Sequence, residues 1–235
     1  MAGQPHSARL ALEDARRADP SGQERRPAAL RSGGRLASPL RECRGYVLAG
    51  GLARRLGQDK ARAEIAPGVA LINWVCGRLS PPITSWTAVG ARAGQFEDLG
   101  VPTLGDRWPG QGPLGGIATA ANEAQAGWFF VTSCDAAWAR GRWVELLWEQ
   151  RQGPAVVFEH EGIVEPLFGW YRGELAEPLA QALEAGHRSV WRFLNEVGAT
   201  RVAAPRGWVS GQGINDPQDL TRAQTFAQKI LRADR

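Results

Sequence analysis

Three glycines, two arginines and a lysine fall between residues 50 and 60, in Gly50-Gly51-Leu-Ala-Arg54-Arg55-Leu-Gly57-Gln-Asp-Lys60. Glycines let a backbone come close to a ligand with its N–H groups turned outward. Arg54, Arg55 and Lys60 add positive charge around that concavity, and the chemistry it suits is phosphate binding. Of 28 basic residues only Lys60 and Lys229 are lysine. A lysine kept in a glycine-rich loop supplies a compact point charge, which a guanidinium replaces poorly. The plainer reading is a strand-to-helix connection in which Gly50-Gly51 serves only as a turn.

Two carboxylates belong to the same edge. Residues 128–133, Trp-Phe-Phe-Val-Thr-Ser, form a near-continuous apolar run, the pattern of a strand buried on both faces. Asp135 closes that run. A carboxylate beside bound phosphates is repelled unless a hard cation bridges them, and Mg²⁺ does so with one or two carboxylates plus phosphate oxygens. The alternative is that Asp135 caps the next helix. Asp106 follows a short strand at 101–104, where it could hold a nucleoside, contact a metal indirectly, or serve a turn.

Other motifs carry less. Gly110-Gln-Gly112-Pro-Leu-Gly115 fits G-x-G-x-x-G, with Asp135 twenty residues beyond. Its glycines begin six residues after the strand rather than at the strand–helix turn, and Pro113 removes a phosphate-facing N–H, so the dinucleotide fingerprint fails. A Walker-type loop fails too, because Ala61 rather than Ser or Thr follows Lys60. No Ser/His/Asp set is visible: His6 is near the amino end, and His160 and His187 flank glycines in expected turns.

These residues need a frame that gathers strand ends. Strand-like runs at 46–49, 84–89, 101–104, 128–133, 155–158, 164–171 and 201–203 alternate with helical stretches ending near 79 and at 113–126, 143–150, 175–184, 190–197 and 216–231. Pro113 suits a helix N1 position, and Asp216 before Pro217 suits an N-cap. Such alternation predicts a three-layer αβα, Rossmann-like fold around a mostly parallel sheet, with ligands bound outside the carboxyl ends of the strands. Of ten tryptophans, Trp128, Trp143, Trp148 and Trp170 sit in apolar segments and read as core. Trp108 and Trp138, at strand ends, are the candidate ligand neighbours.

The chain has 235 residues and a net charge of +4, which looks like a nucleic-acid signal until it is located. Residues 1–45 carry nine arginines and five acids, so of 28 basic and 24 acidic residues the rest of the chain holds 19 of each. The charge therefore gives no reason to expect nucleic-acid binding. Residues 1–44, rich in Arg, Ala, Pro, Gly and Ser, are expected to be a disordered extension, leaving 45–235 as one domain. A basic arm for an acidic partner is the alternative, and a start codon placed too early is another account, since Met1 is the only methionine. There is no apolar run of membrane-spanning length and no secretory h-region. Cys43, Cys76 and Cys134 lack metal-type spacing, which fits a reduced cytoplasm.

Taken in order, Leu48 to Lys60, Gly112-Pro-Leu-Gly-Gly-Ile117, Cys134-Asp135, Glu165-Pro-Leu-Phe168 and Gly213-Ile-Asn-Asp-Pro-Gln-Asp-Leu220 resemble the molybdenum-cofactor guanylyltransferases over about residues 45–225. The Leu-Ala-Gly-Gly opening looks like the guanine-using branch; the related cytidylyltransferases usually open Leu-Ala-Ala-Gly. The resemblance implies a nucleotidyltransferase fold that joins GMP from GTP to the terminal phosphate of molybdopterin or Mo-molybdopterin, releasing pyrophosphate. It implies nucleotide contacts from Leu48, Ala49, Gly50 and Gly51, with Arg55 and Lys60 on the phosphates. It further implies Asp106 on the nucleoside side, Asp135 on Mg²⁺, and Asn215 at the pterin or metal side. Other cofactor-biosynthesis proteins or molybdoenzymes would be its partners. Three positions depart from the pattern: Gly90 where Asn is common, Ala137 in place of the proline of Cys-Asp-x-Pro, and Gly213 in place of the first Asn of Asn-x-Asn-Thr-Pro. They point to altered affinity or to a homologue that no longer turns over. Rival readings are a nucleotidyltransferase using CTP or a sugar-phosphate or phospholactate acceptor, and a non-catalytic cofactor-binding relative.

Overall fold

Period-two alternation of large apolar residues builds the central sheet. Phe129 and Val131 face one side and Phe130 the other; Ala155 and Val157 oppose Val156 and Phe158 in the same way. Strands of this kind need a helical layer on each face. The computed structural model, which describes residues 43–50, 59–80, 82–208 and 213–233, supplies both.

In chain order the elements are β1 (Arg44–Leu48), β2 (Glu64–Ala66), β3 (Val69–Ala70), α1 (Leu71–Leu79), β4 (Ser85–Gly90), β5 (Thr103–Gly105), α2 (Gly112–Ala124) and β6 (Trp128–Ser133). Then follow α3 (Gly141–Glu149), β7 (Ala155–His160), β8 (Ile163–Arg172), α4 (Ala176–Glu184), α5 (Val190–Glu196), β9 (Thr200–Ala203) and α6 (Pro217–Ala233). Seven strands form one sheet in the order β5-β4-β1-β6-β8-β7-β9, and β2 pairs with β3 in a separate hairpin. Helices α1, α3 and α6 pack with Phe130, Val156, Phe158 and Trp170 on one face. Helices α2, α4 and α5 pack with Tyr46, Phe129, Val131 and Val157 on the other. The three-layer expectation holds.

Two features lie beyond the sequence expectation. β8 runs antiparallel to both its neighbours. Its direction follows from the two-residue turn Glu161-Gly162, whose φ values of 51° and 79° belong to a tight hairpin. The small β2–β3 hairpin was not legible either, since neither strand exceeds three residues.

From β1 the chain steps outward to β4 and β5, then returns to β6 on the opposite side of β1. That reversal makes the carboxyl ends of β1 and β6 the switch point, where an open α/β sheet leaves a crevice. The ladders continue past the strand ends. Ala49 donates its N–H to the Val89 carbonyl at 2.9 Å, and Cys134 donates to the Leu48 carbonyl at 3.1 Å. Helix α2 closes over β1 because position 116 is glycine: a Cβ there would stand 3.1 Å from Leu48 Cδ2.

Candidate active site

The crevice at the switch point has two lobes. The first, about 440 Å³, is walled by Leu48, Gly50, Lys60, Asp106, Gly112 and Asp135, among others. The second, about 350 Å³, is walled largely by Trp138, Trp143, Phe168 and Trp208, with Ser133, Asp135, Glu165 and Asn215 as its polar members. Ser133, Asp135 and Leu167 line both. Asp135 therefore stands where the lobes meet.

Each side chain of this junction is set by a short local device. Asp135 lies in the turn that follows β6. Its Oδ2 accepts from Lys60 Nζ at 2.9 Å and its Oδ1 from Ser133 Oγ at 2.5 Å. The Lys60 and Asp135 side chains are 17% and 18% exposed, shielded but open to an entering ligand. Helix α3 begins only at Gly141, so capping by Asp135 is ruled out. Lys60 starts the one-turn 3-10 helix Lys60–Arg62, capped by Asp59 Oδ1 on the Ala61 N–H at 3.0 Å. That turn is tied to the segment after β4. Arg62 forks onto Asp98 at 2.7 and 2.8 Å, and Gln95 Nε2 donates to Asp59 Oδ2 at 3.1 Å. The fork raises the Arg62 pKa and lowers that of Asp98, each held in its charged form by the other.

Asp106 fills its turn role and lines the first lobe as well. Its Oδ1 accepts from the Trp108 N–H and from Thr119 Oγ1, both at 2.9 Å. Asn215 is held by a reciprocal cap at the start of α6. Asp216 Oδ1 accepts from the Asp219 N–H at 2.8 Å, while Asp219 Oδ2 accepts from the N–H groups of Asn215 and Asp216 at 2.8 and 3.2 Å. The Asn215 amide foremost, then that of Asp216 and the Arg222 charge, holds the Asp219 carboxyl below its ordinary pKa. Ile214, fully buried, pins the approach to Asn215.

Of the sequence candidates, Leu48, Gly50, Lys60, Asp106 and Asp135 converge on the first lobe and Asn215 on the second. Ala49 is buried in the ladder beneath them. Gly51, Arg55 and all but the last two residues of the 1–44 extension lie outside the described residues. Trp138 lines the second lobe as anticipated, whereas Trp108, half-buried, packs beside α2 against the edge of the core. Sequence reasoning missed Ser133, although it precedes Asp135 by only two positions. It also took Trp143 for core alone; Trp143 is 3% exposed and yet forms a cavity wall. The buried indole N–H groups of Trp143 and Trp208 have no partner among the described residues.

The three departures each have a local account. A Cβ at Gly90 would stand 2.8 Å from Gln95 Oε1, which accepts from the Ala91 N–H at 2.8 Å, so the Gln95 amide occupies the space a side chain at 90 would need. Ala137 is fully buried and donates its N–H to the Asp135 carbonyl at 2.8 Å, a bond proline could not make. Its own carbonyl accepts from Trp74 Nε1 at 2.9 Å. A Cβ at Gly213 would stand 2.6 Å from Asp135 Oδ2.

The family model of the MobA-like NTP transferase domain matches residues 45–200. The chain belongs to this family. It is 35% identical over 191 residues to a Cereibacter sphaeroides protein named molybdenum cofactor guanylyltransferase, covering 79% of this chain and 97% of that one. A Serratia proteamaculans protein of the same name is 30% identical over 188 residues, covering 78% and 94%. Among solved structures, the molybdopterin-guanine dinucleotide biosynthesis protein A of Archaeoglobus fulgidus superposes with a TM-score of 0.67 at 26% identity, covering 79% of this chain and 99% of that one. The sheet and helix layers described above are those of an α/β nucleotidyltransferase. Among the described residues, no helix is long and apolar enough to cross a membrane.

Proposed function

We propose that this chain transfers GMP from GTP to the terminal phosphate of molybdopterin or Mo-molybdopterin, releasing pyrophosphate. The observation that carries the reading is the Asp135 carboxylate, paired with Lys60 and standing where two lobes meet, one glycine-edged and one aromatic. GTP would occupy the first lobe, with its base and ribose toward Asp106 and its phosphates between Gly50 and the amino end of α2. A helix amino end favours anions. The acceptor's ring system would lie among Trp138, Trp143 and Trp208, with its phosphate toward Asp135 and Asn215 at the rim.

In the reaction an acceptor phosphate oxygen attacks the α-phosphorus of GTP. A new P–O bond forms as the bond to the β-phosphate oxygen breaks, and pyrophosphate leaves with that electron pair. No covalent help from the protein is needed; holding two anions in line and neutralising the departing charge supplies the acceleration. Lys60 would bear on the phosphates, and Arg55 is proposed beside it from sequence alone. The donors present suit Mg²⁺. Asp135 and the Ser133 hydroxyl are hard oxygen ligands, and among the described residues no group of three His, Cys, Asp or Glu forms an all-protein cage. A Mg²⁺ shared between one carboxylate and phosphate oxygens has that composition. When bound it would offset charge building on the pyrophosphate.

The test is incubation of the purified chain with GTP, Mg²⁺ and molybdopterin. A guanine dinucleotide of molybdopterin and one pyrophosphate per turnover are expected, and Asp135→Ala should abolish both while preserving the fold. Preference for CTP among the four triphosphates would overturn the guanine assignment. Absence of any product would favour the non-catalytic reading.

A further inference from the structure

Both carboxylate oxygens of Asp135 are hydrogen-bonded without any metal. Lys60 Nζ holds Oδ2 at 2.9 Å, Ser133 Oγ holds Oδ1 at 2.5 Å, and Oδ2 leaves no room for a side chain at Gly213. A divalent cation entering this site meets a carboxylate already paired with an ammonium group, and no group of three acids, histidines or cysteines among the described residues could cage it. An ammonium on a carboxylate oxygen weakens that oxygen's hold on a dication, since like charges a few ångströms apart in a shielded site repel.

We propose that Lys60 exchanges partners on loading. In the free protein it holds Asp135 and keeps the metal position closed; nucleotide phosphates draw it away, and only then is the carboxylate available to Mg²⁺. The metal site is thus completed by the substrate, and nucleotide and metal raise each other's affinity by one common factor. This deepens, and rests on, the reading of the first lobe as a nucleotide–Mg²⁺ site.

The test measures binding rather than turnover, on the full chain, with Mn²⁺ as the metal probe followed by electron paramagnetic resonance. The free wild-type protein should hold Mn²⁺ weakly. Lys60→Met should tighten Mn²⁺ binding by about tenfold or more, the size expected when a shielded positive neighbour is removed. Lys60→Gln serves as a second variant should the first fold poorly, and Asp135→Asn should remove the bound Mn²⁺ signal. The reciprocal arm uses GTP in excess EDTA. There Asp135→Asn, which releases Lys60, should bind GTP more tightly than wild type, while Lys60→Met binds it less tightly. Equal Mn²⁺ affinity in wild type, Lys60→Met and Lys60→Gln would overturn the exchange. If no nucleotide binds wild type yet the lysine variants gain Mn²⁺, the functional reading fails while the closed metal position stands.

Discussion

Replacing Gly213 by alanine puts a methyl carbon 2.6 Å from Asp135 Oδ2 and 3.3 Å from its Cγ. Ordinary contact lies about 1 Å farther out, so either the carboxylate or the 213–215 segment must give. The segment is anchored: Ile214 is fully buried and the Asn215 N–H is bound to Asp219 at 2.8 Å. The carboxylate is held by Ser133 and by a partly exposed lysine. A single carboxylate rotates more readily than a segment anchored by a fully buried Ile214, so the cheaper relief is rotation of Asp135 away from Lys60. Overpacking of this kind costs about 1–3 kcal/mol, with the low end expected at a partly open site. The corresponding fall in Tm is about 2–4 °C for a domain of this size. Misplacing a reacting group by about 1 Å costs on the order of a hundredfold in rate. Gly213→Ala should therefore lose about a hundredfold in pyrophosphate release while unfolding only a few degrees early. Gly213→Asn, which installs the residue common in the family, should do no better. Turnover within about threefold of wild type in either variant would refute the contact argument.

Three further outcomes follow from the same geometry. The folded pKa of Asp219 lies below its ordinary 3.8, so its stabilisation is present above that value and is lost as pH falls through the folded value. Asp219→Asn should accordingly flatten the acid limb of a Tm-against-pH curve; an unchanged limb would mean the reciprocal cap at α6 is not formed. Gln95→Leu removes the bridge from Ala91 to Asp59 and should raise KM for GTP by about tenfold with little change in kcat, the size of losing one hydrogen bond to a charged group. Unaltered KM would detach Gln95 from the placement of Lys60. Burial pushes the Cys76 thiol up to about 12 and raises that of Cys134 as well. Iodoacetamide at pH near 8 should therefore label both slowly until the chain unfolds, and rapid labelling of the native protein would contradict this packing.

How far the site could be read in advance depended on which force places each residue. Lys60 and Asp135 were legible because glycine punctuation and the end of an apolar strand are local signals. The layers were legible because Phe129, Phe130 and Val131 alternate faces with the period of a strand. Close approach left no local mark. Nothing beside Gly213 announces that a carboxylate 78 positions earlier leaves no room for a side chain there, and nothing beside Gln95 announces its bond to Asp59. Trp143 misled for another reason: on an apolar helix face, core and cavity wall carry the same pattern until the neighbouring elements are in place. The direction of β8 rests on two turn residues, too short a signal to outweigh the surrounding parallel alternation.

The departures at Gly90, Ala137 and Gly213 bear on whether the chain still turns over. A site that had drifted would leave unfilled space and unpartnered groups where side chains were lost. Here Gln95 stands in the space beside Gly90 and ties Ala91 to the turn bearing Lys60. Trp74 binds the Ala137 carbonyl, and the Ala137 N–H closes the turn on Asp135 that a proline would otherwise stiffen. At Gly213 the missing side chain leaves the Asp135 carboxylate the space that a Cβ would take. Each loss is matched by a contact that positions Lys60 or Asp135, the two groups proposed to face the phosphates. Agreement among three separate segments on one junction is what a working site requires, and it favours the catalytic reading over a relict binding module.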